Sequence, residues 1–553
     1  MNRKSNIVRA LIAIVAVVIL NFIATKLYSR IDLTQDKRYT LSEASKNTII
    51  NSKTPIYIDV FLTGEMPSEF KRLQVETKQL LEEFYEVNNN LIISYINPKD
   101  ENPDINVLTT EMEKYGMPAL RIDVKENGKS TQEVIFPWAV VNHNKKVSKV
   151  SLIKTNANNS IDRINNSVQH LEYAFANAFK EVTTEKSKKI GVLIGNDQLE
   201  SKYVFDFLST LENNYHIIPF ALDSVETKPI KTLENLLKLD LILSAKPQKT
   251  FTDKQKYALD QFTINGGKSL WLIDAVHAEM DSISQKGKTL ALGRDLNLKD
   301  MFFQYGLRVN PVLVKDLYAT DIILLDNNNT PNKYPWLYNP MVIPQTNHPI
   351  VNNISPIKFE FANTIDLVKQ GINIKKTPLL QTSLATATIG PPTIISIEEV
   401  NNKKPDPKAF SKQNLTLAAL LEGNFTSAFK NRVKPFEYQK HKDNSSNSKM
   451  IVIADGDVIK NQLDRGKPLA LGFDKWTGQN YGNKEFLLNA VNYLLDDNGL
   501  INVRNKEVKI PFLDVERIAN EKLKWQILNI IVPLLLLGTF GLIYSLIRKR
   551  KYR

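Results

Sequence analysis

Two uncharged, largely apolar segments lie at the ends of the chain, and the pattern between them is mixed. The first covers residues 10–24 and follows a short basic head at residues 1–9. The second, residues 525–547, has the length needed to span about 30 Å of hydrocarbon as a helix. Trp525 and Tyr544 are placed like the aromatic anchors of a membrane interface. Each segment is therefore predicted to be a transmembrane helix.

The N-terminal segment has an alternative interpretation, because a short apolar run is also typical of a cleaved signal peptide. Residues 21–30 (NFIATKLYSR) contain no clear small-residue cleavage pattern. Arg9 and Lys26 can extend toward the lipid headgroups, which favours a retained helix. With both basic flanks cytoplasmic, the region between the two spans is predicted to be a large periplasmic domain at the cytoplasmic (inner) membrane.

The first part of this middle region has the pattern of a β-α-β unit. Residues 54–62 and 90–97 are rich in β-branched and aromatic residues, and an amphipathic helix is predicted between them at 68–87. This outline predicts a thioredoxin-like extracytoplasmic domain over residues 28–155. The chain has no cysteine, which excludes the thiol chemistry of thioredoxins.

Further alternation of strands and short helices predicts an α/β domain over residues 156–500, with loop insertions. Its sheet is expected to be largely parallel, doubly wound and Rossmann-like. Thr252 and Gln255 predict a capping box at the start of a helix that ends at Gly266-Gly267. The polar, Ser- and Asn-rich tip near residues 440–449 predicts a flexible excursion. A juxtamembrane linker at 501–524 and a cytoplasmic basic tail at 548–553 complete the organisation.

The net charge of +13 is concentrated beside the predicted membrane spans. Without the eight basic residues at the two ends of the chain, the net charge is about +5, which is modest for a chain of this length. Those residues are Arg3, Lys4, Arg9, Arg548, Lys549, Arg550, Lys551 and Arg553. Nucleic acid is therefore excluded as a partner, and the lipid bilayer is the partner that these charges indicate.

Candidate binding chemistry lies in three loops after predicted strands, at the edge where open α/β sheets bind ligands. The candidate ligand-binding residues, which suit a cation, a sugar or another polar ligand, are Asn196, Asp197, Asp274, Asp455 and Asp457. The alternative, which the pattern favours, is that these side chains cap the helices that follow. The sequence predicts no catalytic residue, no metal and no cofactor, because no histidine pair has metal-ligand spacing.

Two fragments, at residues 267–269 and 287–289, are similar to part of a phosphate-binding loop. Both lack the first glycine of that motif, and the first fragment opens a predicted strand where the motif requires a helix. They are interpreted as chance matches. The chain is therefore not expected to hydrolyse nucleotides by itself.

Several residues resemble a known family. Residues 31–34 (IDLT) and 38–42 (RYTLS) resemble the start of the GldG family of gliding-motility-associated ABC transporter auxiliary or substrate-binding proteins. The helix ending at Gly266-Gly267, the turn at 455–457 and residues 483–495 resemble the related auxiliary domain of uncharacterised ABC transport systems. The similarity extends over nearly the whole chain and depends on the order of structural motifs.

The resemblance implies a non-enzymatic accessory subunit of an ABC-type transporter complex associated with gliding motility. A polytopic permease and a cytoplasmic ATPase are the implied partners, and the outer domain would bind an envelope partner or a small molecule. Relatives often carry a Gly-His-Gly-Glu-like turn where this chain has Gly195-Asn196-Asp197, which weakens a ligand role for that turn. Two alternatives stay open: an envelope hydrolase or amidotransferase-like enzyme using Asp274, His277 or Asp455, and a structural periplasmic tether.

Overall fold

The computed structural model describes the chain as two compact units, Met1–Lys506 and Glu507–Arg553. The first contains both helices and several β-sheets, so the predicted mixed α/β class is confirmed. The finer division into domains at 28–155 and 156–500 stays a prediction, and the basic head at 1–9 lies outside the described residues. The described residues are 12–19, 21, 32, 40–64, 66–101, 104–126, 129–154, 159–326, 328–402, 405–445, 447–506 and 515–551.

A four-stranded sheet forms the N-terminal part of the first unit, in the order β2–β1–β5–β6. Strands β1 and β2 are parallel and flank a long helix, α2, as the predicted β-α-β unit requires. Phe84 of α2 packs edge-on against Phe179 of α5, with ring centroids 4.9 Å apart. The thioredoxin-like assignment stays a prediction. The elements are α1 Glu43–Lys46, β1 Ile56–Val60, α2 Ser68–Val87, β2 Leu91–Tyr95, α3 Pro98–Glu101, α4 Ile105–Lys114, β3 Leu120–Glu126, β4 Lys129–Ile135, β5 Trp138–His143, β6 Lys146–Ser151 and α5 Ser160–Thr183.

A nine-stranded mixed sheet forms the centre of the rest of this unit, in the order β13–β18–β22–β23–β10–β9–β7–β8 with β19 beside β22. The five strands from β23 to β8 are parallel, and the other pairings are antiparallel. Its elements are β7 Lys189–Ile194, α6 Ser201–Leu211, β8 His216–Ala221, α7 Pro229–Leu236, β9 Leu241–Ala245, α8 Asp253–Ile264, β10 Lys268–Leu272, α10 Lys299–Tyr305, β13 Leu307–Asn310, β18 Thr364–Leu367, β19 Ile374–Gln381, β22 Thr416–Gly423, β23 Ser448–Ile453 and α12 Asn483–Leu495.

Smaller sheets and hairpins lie between these strands along the chain, and several of them surround a separate core built on Trp336 and Tyr338. Four 3₁₀ helices occur in the described chain of the first unit: Leu222–Glu226, Pro407–Ala409, Asp457–Ile459 and Leu500–Asn505. The elements of the small sheets and hairpins are β11 Val276–His277, α9 Met280–Lys286, β12 Lys288–Gly293, β14 Leu313–Asp316, β15 Ala319–Leu325, β16 Pro331–Val342, β17 Ile357–Lys358, β20 Thr386–Ile389, β21 Thr393–Ser396, α11 Glu399–Asn402, β24 Leu463–Asp464, β25 Lys467–Pro468, β26 Phe473–Asp474 and β27 Gln479–Asn480.

Helix α8 begins with the predicted capping box. The Thr252 hydroxyl accepts from the backbone N–H of Gln255 at 3.2 Å, and the Gln255 side chain accepts from the Thr252 N–H at 3.0 Å. The helix is buried on every side from Gln255 to Ile264 because residues 425–445 cover its outer face. The tip near 440–449, predicted to be a flexible excursion, therefore contributes to the packing of this helix.

The second unit contains α13, Val515–Lys551. Within it, Glu521–Arg550 is long and apolar enough to cross a membrane, and none of its apolar window is buried. This helix indicates association with a membrane. In the first unit, residues 12–19 are helical and expose apolar side chains such as Ile14 and Val17. The remainder of the predicted span at 10–24 lies almost entirely outside the described residues, so two spans stay a prediction.

Candidate functional site

A buried lysine lies at the carboxyl-terminal edge of the central sheet. Lys246 follows the fully buried strand β9, and its side chain is only 2% exposed. Its Nζ donates to both carboxylate oxygens of Asp457, at 2.7 and 2.6 Å. The same Nζ lies 3.2 Å from Oε1 of Glu279 and 3.6 Å from Oδ2 of Asp274. An ammonium at this depth is tolerated because several carboxylates surround it.

Three aspartates meet around this lysine. Asp274 follows β10, while Asp455 and Asp457 follow the adjacent parallel strand β23, and one carboxylate oxygen from each lies within 4.8 Å of the others. Backbone N–H groups fix two of them: Gly456 donates to Asp274 at 2.6 Å, and Glu360 donates to Asp455 at 2.6 Å. We refer to Lys246, Asp274, Asp455, Asp457, Glu279, Glu360, Arg294 and Lys460 as the edge cluster.

Long-range loops close the outer side of the edge cluster. Arg294, at the end of β12, places Nη1 3.7 Å from Oδ2 of Asp274 and donates from Nη2 to Nδ1 of His277 at 2.7 Å. Asn363 is fully buried and accepts from the backbone N–H of Ala275 at 2.6 Å. These contacts attach the small sheets to the central sheet.

The charges in the centre of the edge cluster stabilise one another. Burial disfavours the ammonium of Lys246, but the carboxylates of Asp457 and Asp274 outweigh it and raise the lysine pKa above its usual range. Burial likewise disfavours the carboxylate of Asp457, yet Lys246 and Lys460 hold its pKa below the usual value. Lys246 and Asp457 are therefore an ion pair at neutral pH.

The remaining acids of the edge cluster retain protons more readily. Burial raises the pKa of Asp455 well above its usual range, and the neighbouring Asp457 and Asp274 raise it further. Burial, together with Asp457, raises the pKa of Glu360 to about 7. Asp455 can therefore remain a neutral hydrogen-bonding group beside two other carboxylates, and Glu360 titrates near neutral pH.

Close packing leaves little space in the centre of the cluster. A Cβ atom built on Gly456 would lie 2.3 Å from Cγ and 2.6 Å from Cβ of Lys246, so only glycine fits at this position. A three-aspartate set is suited to a divalent cation. In this chain, Lys246 supplies the positive charge from the protein itself, and the arrangement fastens strands and loops together at the sheet edge.

The structure brings together three of the five candidate ligands predicted from the sequence, Asp274, Asp455 and Asp457. The other two, Asn196 and Asp197, make their contacts elsewhere. Asn196 donates to the Gln255 side chain at 3.2 Å and to the Thr250 carbonyl at 3.3 Å. Asp197 pairs with Lys249 at the surface, 3.0 Å away. Helix α6, which follows them, has no side-chain cap. The first loop therefore supports the start of α8, and neither residue caps α6.

The members of the edge cluster other than the three aspartates are not among the ligand residues that the sequence predicts. One feature of the sequence points to Lys246: it directly follows a largely apolar strand (LILSAK). No sequence feature points to Arg294 or Glu360, because they come from distant loops whose positions depend on the tertiary fold. Of the other sequence candidates, the fragments at 267–269 and 287–289 continue into strands β10 and β12. No helix follows them directly, as a phosphate loop would require.

Comparison with known proteins supplies a family. The family described as "ABC-type uncharacterized transport system" matches residues 187–490, more than half of the chain, and a domain of unknown function (DUF7088) matches residues 35–142. An uncharacterized protein of Borreliella burgdorferi is 22% identical over 530 residues, covering 95% of this chain and 93% of that protein. The solved mmIFT52 N-terminal domain aligns with a TM-score of 0.32 and 14% identity, over 56% of this chain and 99% of that chain.

Proposed function

Because this chain belongs to the ABC-type uncharacterized transport system family of auxiliary proteins, we propose that it is a non-enzymatic, partner-binding subunit of an ABC-type transporter. Helix α13 is the observation that carries this proposal. An exposed apolar surface the length of Glu521–Arg550 requires lipid or other membrane helices around it. Such a helix is suited to hold the first unit beside a permease.

The closed edge cluster supports the non-enzymatic part of the proposal. The carboxylates at the ligand-binding edge of the sheet are occupied by Lys246 and by backbone donors. His277, the other residue of the enzyme alternative, is half-exposed, and the hydrogen bond of its Nδ1 goes to Arg294 and not to one of these aspartates. A hydrolase that uses Asp274 or Asp455 would need one of these buried carboxylates to contact a substrate. We therefore favour a protein partner over a small-molecule substrate for the outer domain.

We also propose the topology that the sequence predicts: spans at 10–24 and 525–547, both termini in the cytoplasm, and the first unit in the periplasm. The exposed apolar side chains of helical residues 12–19 support the N-terminal span. The basic residues Arg548, Lys549 and Arg550 directly after the C-terminal span support a cytoplasmic tail.

Co-purification tests the proposed function. The full chain, expressed at its native level and extracted in a mild detergent, is expected to co-purify with a polytopic permease and a cytoplasmic ATPase. Leu536→Arg places a charge in the middle of α13 and is expected to reduce this recovery strongly. The matched control is Lys549→Arg, which keeps the charge of the tail. A full chain that purifies alone contradicts the proposal.

An association with gliding motility is a separate part of the proposal, supported by the resemblance of residues 31–34 and 38–42. Deletion of the chain in a gliding host is expected to abolish surface spreading without slowing growth in liquid. Restoration by the wild-type chain, but not by Leu536→Arg, would connect spreading to the membrane-bound subunit. Normal spreading in the deletion strain contradicts this part alone.

A further inference from the structure

One buried carboxylate joins residues 40–45 to Lys506, the C-terminal end of the first unit. Glu172 of α5 is 6% exposed. Its Oε1 accepts from the backbone N–H of Ser42 at 2.8 Å and from the Ser45 hydroxyl at 2.9 Å. Its Oε2 accepts from Nζ of Lys506 at 2.7 Å, and the same ammonium donates to the backbone carbonyl of Thr40 at 2.8 Å. We call these five residues the stem clamp.

The members of the stem clamp come from opposite ends of the sequence. Thr40 and Lys506 are 466 positions apart. Thr40 follows the predicted N-terminal span, and Lys506 is the last residue of the first unit, shortly before α13 begins at Val515. The clamp therefore joins a residue 16 positions after the predicted span at 10–24 to a residue 19 positions before the predicted span at 525–547.

The C-terminal side of the clamp has a second, independent anchor. Arg504 is buried, and its guanidinium donates to Glu485 at 2.9 Å, to the Asn352 carbonyl at 2.8 Å and to the Pro349 carbonyl at 3.1 Å. Loss of Glu172 would therefore leave the 3₁₀ helix Leu500–Asn505 in place. The segment 40–47 relies much more on Glu172, through Ser42 and Ser45.

We propose that Glu172 is a positioning residue that fastens the segment after the first span to the segment before the second, so that displacement of one displaces the other. This inference rests on the proposed function, because it assumes that both ends continue into membrane spans. A buried carboxylate with an ammonium on one oxygen and a backbone donor on the other is a charge-assisted link between the two segments, and the bond from Lys506 to the Thr40 carbonyl adds to it.

Hydrogen–deuterium exchange on the full chain in detergent tests the link. Lys506→Met removes the ammonium from one end and is expected to accelerate amide exchange at the other, in residues 40–47, by about tenfold. Glu172→Gln is expected to produce the same change, and the double variant no further change. Exchange in residues 500–505 should stay unchanged in all three, which separates release of the clamp from general unfolding.

Glu43→Gln provides a matched control, since it removes a carboxylate from an exposed pair with Lys46 in the same short helix. Unchanged exchange at 40–47 in Lys506→Met, or equal acceleration in Glu43→Gln, overturns the inference. Co-purification with the permease and the ATPase is measured in parallel on the same variants. If exchange at 40–47 is unchanged in Lys506→Met while the chain still co-purifies with its partners, only the clamp is rejected. If the wild-type chain purifies alone, the proposed function is rejected.

Discussion

Lys246, together with Arg294 and Lys460, balances the carboxylates at the sheet edge. The members of this cluster show which residues of a site can be predicted from the sequence and which cannot. The positions of Asp274, Asp455 and Asp457 after strands were visible in the sequence, because parallel strands end at a common edge. Lys246 and Arg294 were not visible as partners, since pairing of charges across distant loops leaves no local pattern. The ligand role of the aspartates stays a prediction.

Replacing the central lysine should destabilise the first unit strongly. Lys246→Met removes the ammonium that is hydrogen-bonded to buried Asp457 and leaves that carboxylate only the more distant Lys460, 3.7 Å away, which costs about 3–5 kcal/mol. Lys249→Met is the control because its ion pair with Asp197 is exposed, and such pairs contribute about 0–1 kcal/mol. Chemical unfolding of both variants measures the difference. Similar small losses in both would show that Lys246 does not hold the edge together.

A methyl group at Gly456 should also be destabilising. Gly456→Ala forces a Cβ against the side chain of Lys246, an overpacking that costs about 1–3 kcal/mol. Gly390→Ala is the matched substitution, because a Cβ there has no atom within 4 Å. Thermal unfolding should separate the two. Equal midpoints would mean that the cluster has room to adjust.

The stability of the first unit should depend on pH through Glu360. Burial raises the folded-state pKa of Glu360 from 4.5 to about 7, so the unfolded chain releases this proton first as the pH rises. Stability is therefore lost between about pH 4.5 and pH 7, by up to about 3 kcal/mol. Glu360→Gln should remove this loss. His170, whose pKa is lowered by burial, contributes equally to the unfolding free energy of variant and wild type, so the difference between the two reports Glu360. A difference that does not vary with pH contradicts the assignment.

At the scale of elements, the sequence predicts features that depend on neighbouring residues. It does not predict which distant segments cover an element. The capping box of α8 and its left-handed Gly266, with φ of +92°, follow directly from side-chain and backbone chemistry. Burial of the whole helix does not, because it depends on residues 425–445. Strand β22 has no alternating pattern in the sequence by which to predict it, since it is buried on both faces.

The cover over α8 should detach when its polar anchor is changed. Asp260 accepts from the Ser427 hydroxyl at 2.6 Å and from the Ala428 N–H at 2.7 Å. Asp260→Asn replaces one acceptor by a donor, which costs about 1–3 kcal/mol and should accelerate amide exchange in residues 425–445. Asp253→Asn, at the exposed start of the same helix, is the control. Unchanged exchange in the cover would assign its stability to aromatic packing on Tyr257.

For the whole molecule, the central claim is that a folded unit is held outside the cytoplasmic membrane by the helices at its ends. Charge and hydropathy in the sequence predict this arrangement, and α13 is the predicted membrane helix that the structure describes. The relation of this membrane protein to a transporter comes from the family match, which the fold by itself does not contain.

Site-directed labelling tests that claim most directly, because the chain has no native cysteine that would also react with the label. Tyr115→Cys places a thiol at a position that is 67% exposed in the first unit, and Lys549→Cys places one in the basic tail. A membrane-impermeant maleimide added to intact spheroplasts should label residue 115 at once and residue 549 only after the membrane is permeabilised. Labelling of residue 549 in intact spheroplasts, with residue 115 protected, would contradict the account.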